Sequence, residues 1–267
     1  MKNIWKMMAA TIVSATLLVG CGSSKTAEAE GDQLARIQQK GEIVIAMEGT
    51  WAPWTYHNEQ GDLVGFDTEV GEQIAKKLGV KATFVEGEWD GLFAGLDAGR
   101  YDIIINGVEY TDERAEKYDF TEPYAYIHTA LITTENNTDI TSFEDLAGRT
   151  TANSISSTYM TLAEEYGATV EGVDSLDETM QMVMSGRVDA TLNADVSFYD
   201  YYNVHQDCGL KVVATTEDAS NVVIPTLKGN ESAALREAIN QALQELREDG
   251  TLSELSQKYF NADISGK

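Results

Sequence analysis

The sequence predicts an α/β protein in which short apolar strands alternate with amphipathic helices. Apolar runs such as 103–105 are flanked by turn residues and indicate buried strands. The segments between them place apolar residues four apart, as at Val70, Ile74 and Leu78, which is typical of a helix packed on one face. This alternation predicts mostly parallel sheets flanked by helices, in which ligands bind beyond the carboxyl ends of the strands.

Length and composition are compatible with one large domain or two modest ones. The chain has 267 residues, of which 43% are hydrophobic, enough for a substantial core. Its formal net charge is −25 and its pI about 4.3, and this acidity argues against nucleic-acid binding. Positive charge is scarce, so an arginine in a polar loop is informative.

The N-terminal segment predicts a signal peptide over residues 1–20. Lys2 and Lys6 supply its basic end, and the apolar stretch that follows is too short to span a bilayer. It ends in Leu-Val-Gly-Cys-Gly, which resembles the lipobox of bacterial lipoproteins, with Cys21 as the lipidated residue and new N-terminus. An ordinary secreted protein with a chance cysteine at this position is the alternative.

Residues 21–33 are predicted to form a flexible, lipid-anchored tether, since 23–31 are small, polar and acidic. The second cysteine of the chain is Cys208. A lipid on Cys21 would leave Cys208 without a disulfide partner, so we expect Cys208 to be a plain thiol.

The stretch 102–124 carries the clearest site prediction. A short strand ends at Asn106-Gly107 and is followed by Thr111, a good N-cap, and then by Arg114. A strand that ends in a polar loop is where an α/β protein holds a small anion. The planar guanidinium of Arg114 has the shape to grip a carboxylate through two hydrogen bonds.

The other elements of the first half place more loops at this edge. A strand at 41–46 leads into a loop with Trp51 and Trp54, which indicates an aromatic wall. Asp67 stands near the start of the next helix and is interpreted as a cap. A strand at 82–85 and a helix from Trp89 follow.

The second half repeats the alternation. A polar strand at 150–154 precedes a helix that begins at 156–158, where serine hydroxyls and free amides make either a second anion site or a plain N-cap. Near the end, Thr251 and Glu254 predict a capping box for the last helix.

Taken together, these runs resemble the family 3 solute-binding proteins of ABC transporters, amino-acid receptors with the type II periplasmic-binding fold. The resemblance covers nearly all of residues 34–263. The runs that carry it are GEIVIAMEGTWAPWTY, GFDTEV, WDGLFAGLDAGRYDIIINGV, TDERAEKYDFTEPY, SGRVDATLNAD and EDGTLSELSQKYF.

The resemblance implies two lobes, each a mostly parallel sheet flanked by helices, formed by 34–126 plus 224–267 and by 127–223. Two crossing segments near 126–131 and 218–224 would join them. The family's amino acid lies between the lobes, which close on it by a hinge.

By the same resemblance, Arg114 would bind the ligand α-carboxylate and Ser157 would cap that carboxylate from the second lobe. Trp51 would pack over the ligand side chain, and Trp89 would form another part of the wall.

The residue that would pair with the ligand ammonium departs from the family pattern. Gly107 and Glu109 match loop positions that contact the amino group or the carboxylate. The family's usual aspartate is replaced by Ala194, and Asp195 follows it. A buried ammonium without a charge partner costs several kcal/mol. The hypothesis is that Glu109 and Asp195 between them satisfy it, with Glu109 favoured.

The implied function is a monomeric, membrane-tethered receptor that captures an extracellular L-amino acid and delivers it to ABC permease subunits. The run Trp89-Asp90-Gly91-Leu92 looks like cystine-binding members, which favours cystine or another polar or neutral amino acid. An enzyme similar to cyclohexadienyl dehydratase, with Glu109 as general acid, and a sensory module are the alternatives.

No metal or cofactor is expected. The three histidines, at 57, 128 and 205, are scattered without ligand spacing, and no phosphate-binding glycine loop or nucleophile motif occurs.

Overall fold

The computed structural model describes residues 32–266. The predicted signal peptide, Cys21 and most of the predicted tether lie outside this range. The described helices are α1 (Gln33–Lys40), α2 (Phe66–Leu78), α3 (Trp89–Asp97), α4 (Asp112–Lys117), α5 (Thr158–Glu165), α6 (Leu176–Met184), α7 (Asp195–Val204), α8 (Asn230–Glu248) and α9 (Thr251–Phe260), with a 3₁₀ turn at Phe143–Leu146. Among these described helices, none combines the length and apolar character that a membrane crossing requires.

The described strands are short. They are β1 (Glu42–Met47), β2 (Thr50–Trp51), β3 (Thr55–His57), β4 (Leu63–Val64), β5 (Lys81–Glu86), β6 (Ile103–Ile104), β7 (Tyr118–Phe120), β8 (Ala125–Ile127), β9 (Thr129–Thr134), β10 (Thr150–Asn153), β11 (Thr169–Gly172), β12 (Thr191–Ala194), β13 (Leu210–Thr215), β14 (Ser220–Val222) and β15 (Pro225–Leu227).

The first lobe is built around β1. This strand pairs in parallel with β5 on one side and β6 on the other. Ile43 and Ile45 are fully buried, and α2 covers the sheet with Val70 and Ile74, also fully buried. The ends of β1 and β6 therefore meet at one edge, as the alternation predicts, and the loops that follow them lie side by side.

The start of α2 corrects one sequence interpretation. Gly65, with φ at 135°, is the N-cap of this helix, and Asp67 lies inside its first turn with no exposed surface. Asp67 is therefore not a cap, because Gly65 already turns the chain and the carboxylate points into the protein.

The second lobe is a mixed α/β unit. Strands β10 and β11 pair in parallel, as predicted, whereas β9 runs antiparallel to both β12 and β13. The Asp189 carboxylate, just before β12, accepts the Thr150 N–H at 2.8 Å. This bond joins the β10–β11 pair to the sheet that contains β12. The polar end of β10 and the start of α5 consequently face the same side.

Two antiparallel strands, β8 and β14, form the paired segments that join the lobes, with Tyr126 opposite Asn221. The lobes also meet where Trp54 donates its indole N–H to the Ser197 hydroxyl at 2.9 Å. Both residues are fully buried. This contact lies between the wall of the first lobe and the start of α7.

The last helix begins differently from the prediction. Gly250, in the left-handed conformation with φ at 85°, is the N-cap of α9. Thr251 is already helical, and its hydroxyl donates to the Asp249 carboxylate at 2.6 Å. The predicted capping box with Glu254 is therefore wrong. Gly250 makes the turn, and the Thr251 hydroxyl bonds Asp249, the residue that follows α8, and does not cap α9.

Candidate functional site

A cleft between the two lobes collects the polar loops of both sheets. The empty space in the cleft and at its solvent-open mouth is about 560 Å³. The first lobe contributes the loops after β1 and β6 and the starts of α3 and α4, and the second contributes the ends of β10 and β12 and the starts of α5 and α6. The lining residues are Glu48, Thr50, Trp51, Trp89, Asn106, Gly107, Glu109, Arg114, Asn153, Ser154, Ser157, Thr158, Tyr159, Ser175, Leu176, Thr179 and Asn193.

Arg114 supplies the positive charge of the cleft. The Thr111 hydroxyl caps α4 by accepting the Arg114 N–H at 3.1 Å, which fixes where the side chain leaves the helix. The guanidinium carbon lies 5.3 Å from the Trp89 ring centroid and 5.4 Å from that of Phe93, so two aromatic faces hold the cation.

The hydrogen bonds of this guanidinium go to neutral acceptors. Nη1 donates to the Glu109 carbonyl at 2.8 Å and Nη2 to the Ser156 carbonyl at 3.2 Å. Among the described residues, no carboxylate forms an ion pair with Arg114. Burial lowers its pKa, with the Glu109 charge opposing, but arginine keeps its proton in proteins. The structure thus holds a partly buried cation that forms no ion pair with an acidic residue in the described part of the chain.

The start of α5 lies across the cleft from this cation. The Ser157 hydroxyl accepts the Met160 N–H at 3.1 Å and leaves its own proton free to donate. The backbone N–H groups of Thr158 and Tyr159 lie in the first turn, where a helix offers no internal acceptor. Free amides at a helix N-terminus attract an anion, so the cleft has two converging anion-binding groups.

The two acidic candidates lie in different surroundings. Glu109 lines the cleft with only 5% of its surface exposed, and its carboxylate accepts the Thr158 hydroxyl. Asp195 begins α7 instead, and its carboxylate accepts the N–H of Val196 in the same helix. Asp195 is absent from the cleft lining, because its side chain is directed to its own helix start. Of the two, Glu109 is in a position to meet a ligand.

An aromatic wall closes the first-lobe side. Trp51 stacks on Trp54 with ring centroids 5.2 Å apart and planes 16° from parallel. Gly107 packs directly on the six-membered ring of the Trp51 indole. A Cβ at this glycine would overlap that ring. Its φ of 55° also favours glycine, so this residue is required both by the turn and by the wall.

Three buried polar atoms of the cleft have no hydrogen-bond partner within the described residues. They are the Trp51 indole nitrogen, the Asn153 side-chain oxygen and the Tyr159 hydroxyl. Buried polar atoms are normally paired, because an unpaired one costs about 1–3 kcal/mol. Because all three line one cleft, they are groups with which a polar ligand can pair.

Sequence reasoning missed several of these residues. Glu48 lines the cleft, and its carboxylate accepts the Asn106 side-chain N–H at 2.6 Å. Burial raises the pKa of Glu48 to about 7. Its place directly after the apolar strand β1, at the predicted ligand edge, was a usable signal. Asn153 and Asn193 gave a weaker one, since each is only a polar residue near a strand end.

Comparison with known proteins finds a matching family profile and similar relatives. The profile described as "Bacterial extracellular solute-binding proteins, family 3" matches residues 43–262. The L-cystine-binding protein TcyA of Bacillus subtilis (strain 168) is 38% identical over 260 residues, which cover 95% of this chain and 96% of that protein.

Two solved structures give the fold. An ancestral arginine-binding protein bound to arginine has a TM-score of 0.77 at 34% identity and covers 82% of this chain and 98% of its own. The L-cystine solute receptor of Neisseria gonorrhoeae, in the unliganded open conformation, has a TM-score of 0.60 at 37% identity and covers 89% and 100%. The open receptor has the lower TM-score although it has the higher sequence identity. This agrees with a closed arrangement of the lobes here, in which hydrogen bonds join them.

Proposed function

This chain belongs to the bacterial extracellular solute-binding proteins of family 3, and we propose that it captures an L-amino acid between its lobes and delivers it to an ABC permease. The observation that carries the proposal is the partly buried Arg114 guanidinium, which forms no ion pair among the described residues and lies across the cleft from the start of α5. Two relatives are named as L-cystine-binding proteins, and a third is named as a probable amino-acid ABC transporter-binding protein.

In the proposed complex, the ligand α-carboxylate bridges Arg114 and the first turn of α5, with the Ser157 hydroxyl as a further donor. The α-ammonium lies against the Glu109 carboxylate. Each group pairs with a charge of opposite sign or with a helix end of suitable polarity. Because these partners come from both lobes, the ligand favours the closed arrangement.

The magnitudes are sufficient for useful affinity. Each charge-assisted hydrogen bond contributes roughly 1.5–3 kcal/mol, and micromolar binding needs about 8 kcal/mol. The carboxylate and ammonium contacts together supply about half of this. Packing of the ligand side chain on Trp51, and pairing of the unpartnered Asn153 and Tyr159 atoms, supply the rest.

Cystine, or another polar or neutral amino acid, is the proposed ligand. Once Arg114 and Glu109 are used by the α-carboxylate and α-ammonium, the cleft still offers the Glu48 carboxylate, the Asn153 oxygen and the Trp51 N–H. Such a set suits a ligand whose far end forms hydrogen bonds. Two relatives named as L-cystine-binding proteins, 38% and 34% identical, support the same choice.

The proposal includes an anchor and an assembly state. Residues 1–20 act as a signal peptide, a lipid on Cys21 holds the protein at the membrane, and residues 21–33 tether the fold. The two lobes comprise 34–126 plus 224–267 and 127–223, and the receptor works as a monomer. Replacement of Cys21 by serine should release the protein from membrane fractions, and retention would contradict the anchor.

The experiment that tests the proposal is a thermal-shift screen of the twenty L-amino acids and cystine, with D-amino acids as controls. A ligand that binds only the folded state stabilises it by about 2.7 kcal/mol at a concentration of one hundred times Kd. We expect a clear shift with cystine and little with D-amino acids. A best response to arginine or lysine would overturn the cystine choice, whereas no response to any amino acid would overturn the function. Product formation from prephenate or arogenate would favour an enzyme instead.

A further inference from the structure

Asp67 is a buried carboxylate that the ligand site does not use directly. It has no exposed surface. One oxygen accepts the Gly107 backbone N–H at 2.6 Å and the other accepts the Tyr124 hydroxyl at 2.8 Å. Burial raises the pKa of Asp67 to about 7, with these two bonds opposing the rise. A carboxylate buried at such cost, and bonded to two separate segments, has a role beyond filling space.

One of its partners is the turn that shapes the ligand cleft. Gly107 packs on Trp51 and adopts a φ of 55°. It follows Asn106, which holds the Glu48 carboxylate at 2.6 Å, and precedes Glu109 by two residues. The direction of this turn therefore determines where the aromatic wall and both acidic groups lie.

The other partner lies where the chain leaves the first lobe. Tyr124 is fully buried directly before β8, and its N–H donates to the Val222 carbonyl at 2.9 Å. The loop after β6, which contains Gly107, is joined to the same region, because the Val223 N–H donates to the Val108 carbonyl at 2.8 Å. Asp67 thus connects the loop that lines the cleft with the paired segments that join the lobes.

We propose that Asp67 is a positioning residue for the ligand site, a role that rests on the cleft being the amino-acid site proposed above. Its two oxygens hold the Gly107 turn and the Tyr124 ring in one arrangement, so that Trp51 and Glu109 are already placed when the ligand arrives. In this structure the Gly107 N–H and the Tyr124 O–H both donate to Asp67. Asparagine has the same shape but one oxygen and no charge. If that oxygen keeps the Gly107 bond, the NH₂ group faces the Tyr124 hydroxyl, which must then turn to accept.

The test compares Asp67→Asn with Tyr124→Phe and with Val70→Ala, measured at pH 8. Val70 is fully buried on the same helix and lies outside the cleft, so it serves as a control for lost stability. Affinity for the best amino acid is measured by calorimetry at a temperature where every variant is folded. The Gly107 amide proton is followed by NMR, because a bond to a carboxylate shifts it downfield.

We expect Asp67→Asn to weaken binding about tenfold and to move the Gly107 amide upfield, since it loses a hydrogen bond to a charged group. Tyr124→Phe should weaken binding by about threefold, whereas Val70→Ala should leave affinity and the amide unchanged. If Asp67→Asn does not fold, Tyr124→Phe decides the matter alone.

Wild-type affinity in Asp67→Asn, or an equal loss in Val70→Ala, would overturn the positioning role. Unchanged binding in Tyr124→Phe would overturn it if the asparagine variant is unfolded. A wild-type protein that binds no amino acid would instead overturn the proposed function, and the Gly107 amide would still report the bond to Asp67.

Discussion

The Thr158 hydroxyl, at the start of α5, donates a hydrogen bond to the Glu109 carboxylate of the facing lobe at 2.5 Å. Arg114 adds a second bond across the cleft, from Nη2 to the Ser156 carbonyl. The two residues proposed to hold the ligand's charges therefore also hold the lobes together. A ligand that contacts both lobes shifts the equilibrium towards the closed state only through such differential contacts.

The first prediction concerns the ammonium partner. Glu109→Gln keeps the shape of the side chain but removes its negative charge. We expect affinity to fall roughly ten- to a hundredfold, because a charge-assisted hydrogen bond contributes about 1.5–3 kcal/mol. Calorimetry with the best ligand of the screen measures this. Asp195→Asn is the matched control and should bind normally, since Asp195 does not line the cleft. The opposite pattern would assign the ammonium to Asp195.

The second prediction is a pH dependence from Glu48. Burial raises its pKa from 4.5 to about 7, so the folded state keeps this proton over a range in which the unfolded chain has released it. The stability that Glu48 contributes is complete below its unfolded pKa and is lost as the pH rises through about 7. Relative to wild type, Glu48→Gln should therefore gain up to about 3 kcal/mol in free energy of unfolding between pH 4.5 and pH 8.

Denaturant titrations of the ligand-free proteins at the two pH values measure that difference. Taking the difference between variant and wild type cancels the titration of Asp67, whose pKa is also raised to about 7. A variant whose offset from wild type is the same at both pH values would show that Glu48 ionises normally.

The third prediction concerns the contact between the lobes outside the ligand groups. Ser197→Ala removes the acceptor of the Trp54 indole N–H and leaves that group buried and unpaired. We expect the free energy of unfolding to fall by about 1–3 kcal/mol. Ser185→Ala, which removes the hydroxyl of an exposed residue bonded to the Met182 carbonyl of its own helix, should change stability by less than about 0.5 kcal/mol. Equal effects of the two changes would mean that the interlobe bond adds no stability.

Sequence reasoning predicted the elements that depend on local pattern. The periodicity of Val70, Ile74 and Leu78 gave α2, and the Thr111 cap gave the start of α4. Each of these signals lies within a few residues of the element it specifies, so the sequence alone carries it.

The failures come from effects that act over long distances along the chain. Asp67 looks like a cap because acidic residues favour a helix's first turn, but its partners Gly107 and Tyr124 are 40 and 57 residues away. Asn153 reaches the cleft because its amide donates to the Leu192 carbonyl, 39 residues along the chain. Such pairings follow from the packing of strands, which a local pattern does not encode.

The most direct test of the central claim is to measure amino-acid binding by Arg114 variants with calorimetry. Arg114→Ala should abolish detectable binding, and Arg114→Lys should weaken it about ten- to a hundredfold, because lysine keeps the charge but not the two-pronged geometry. Arg187→Ala, which removes an exposed arginine paired with Glu171 away from the cleft, should bind as wild type does. Binding by Arg114→Ala within about threefold of wild type would contradict the claim that this guanidinium holds the ligand carboxylate.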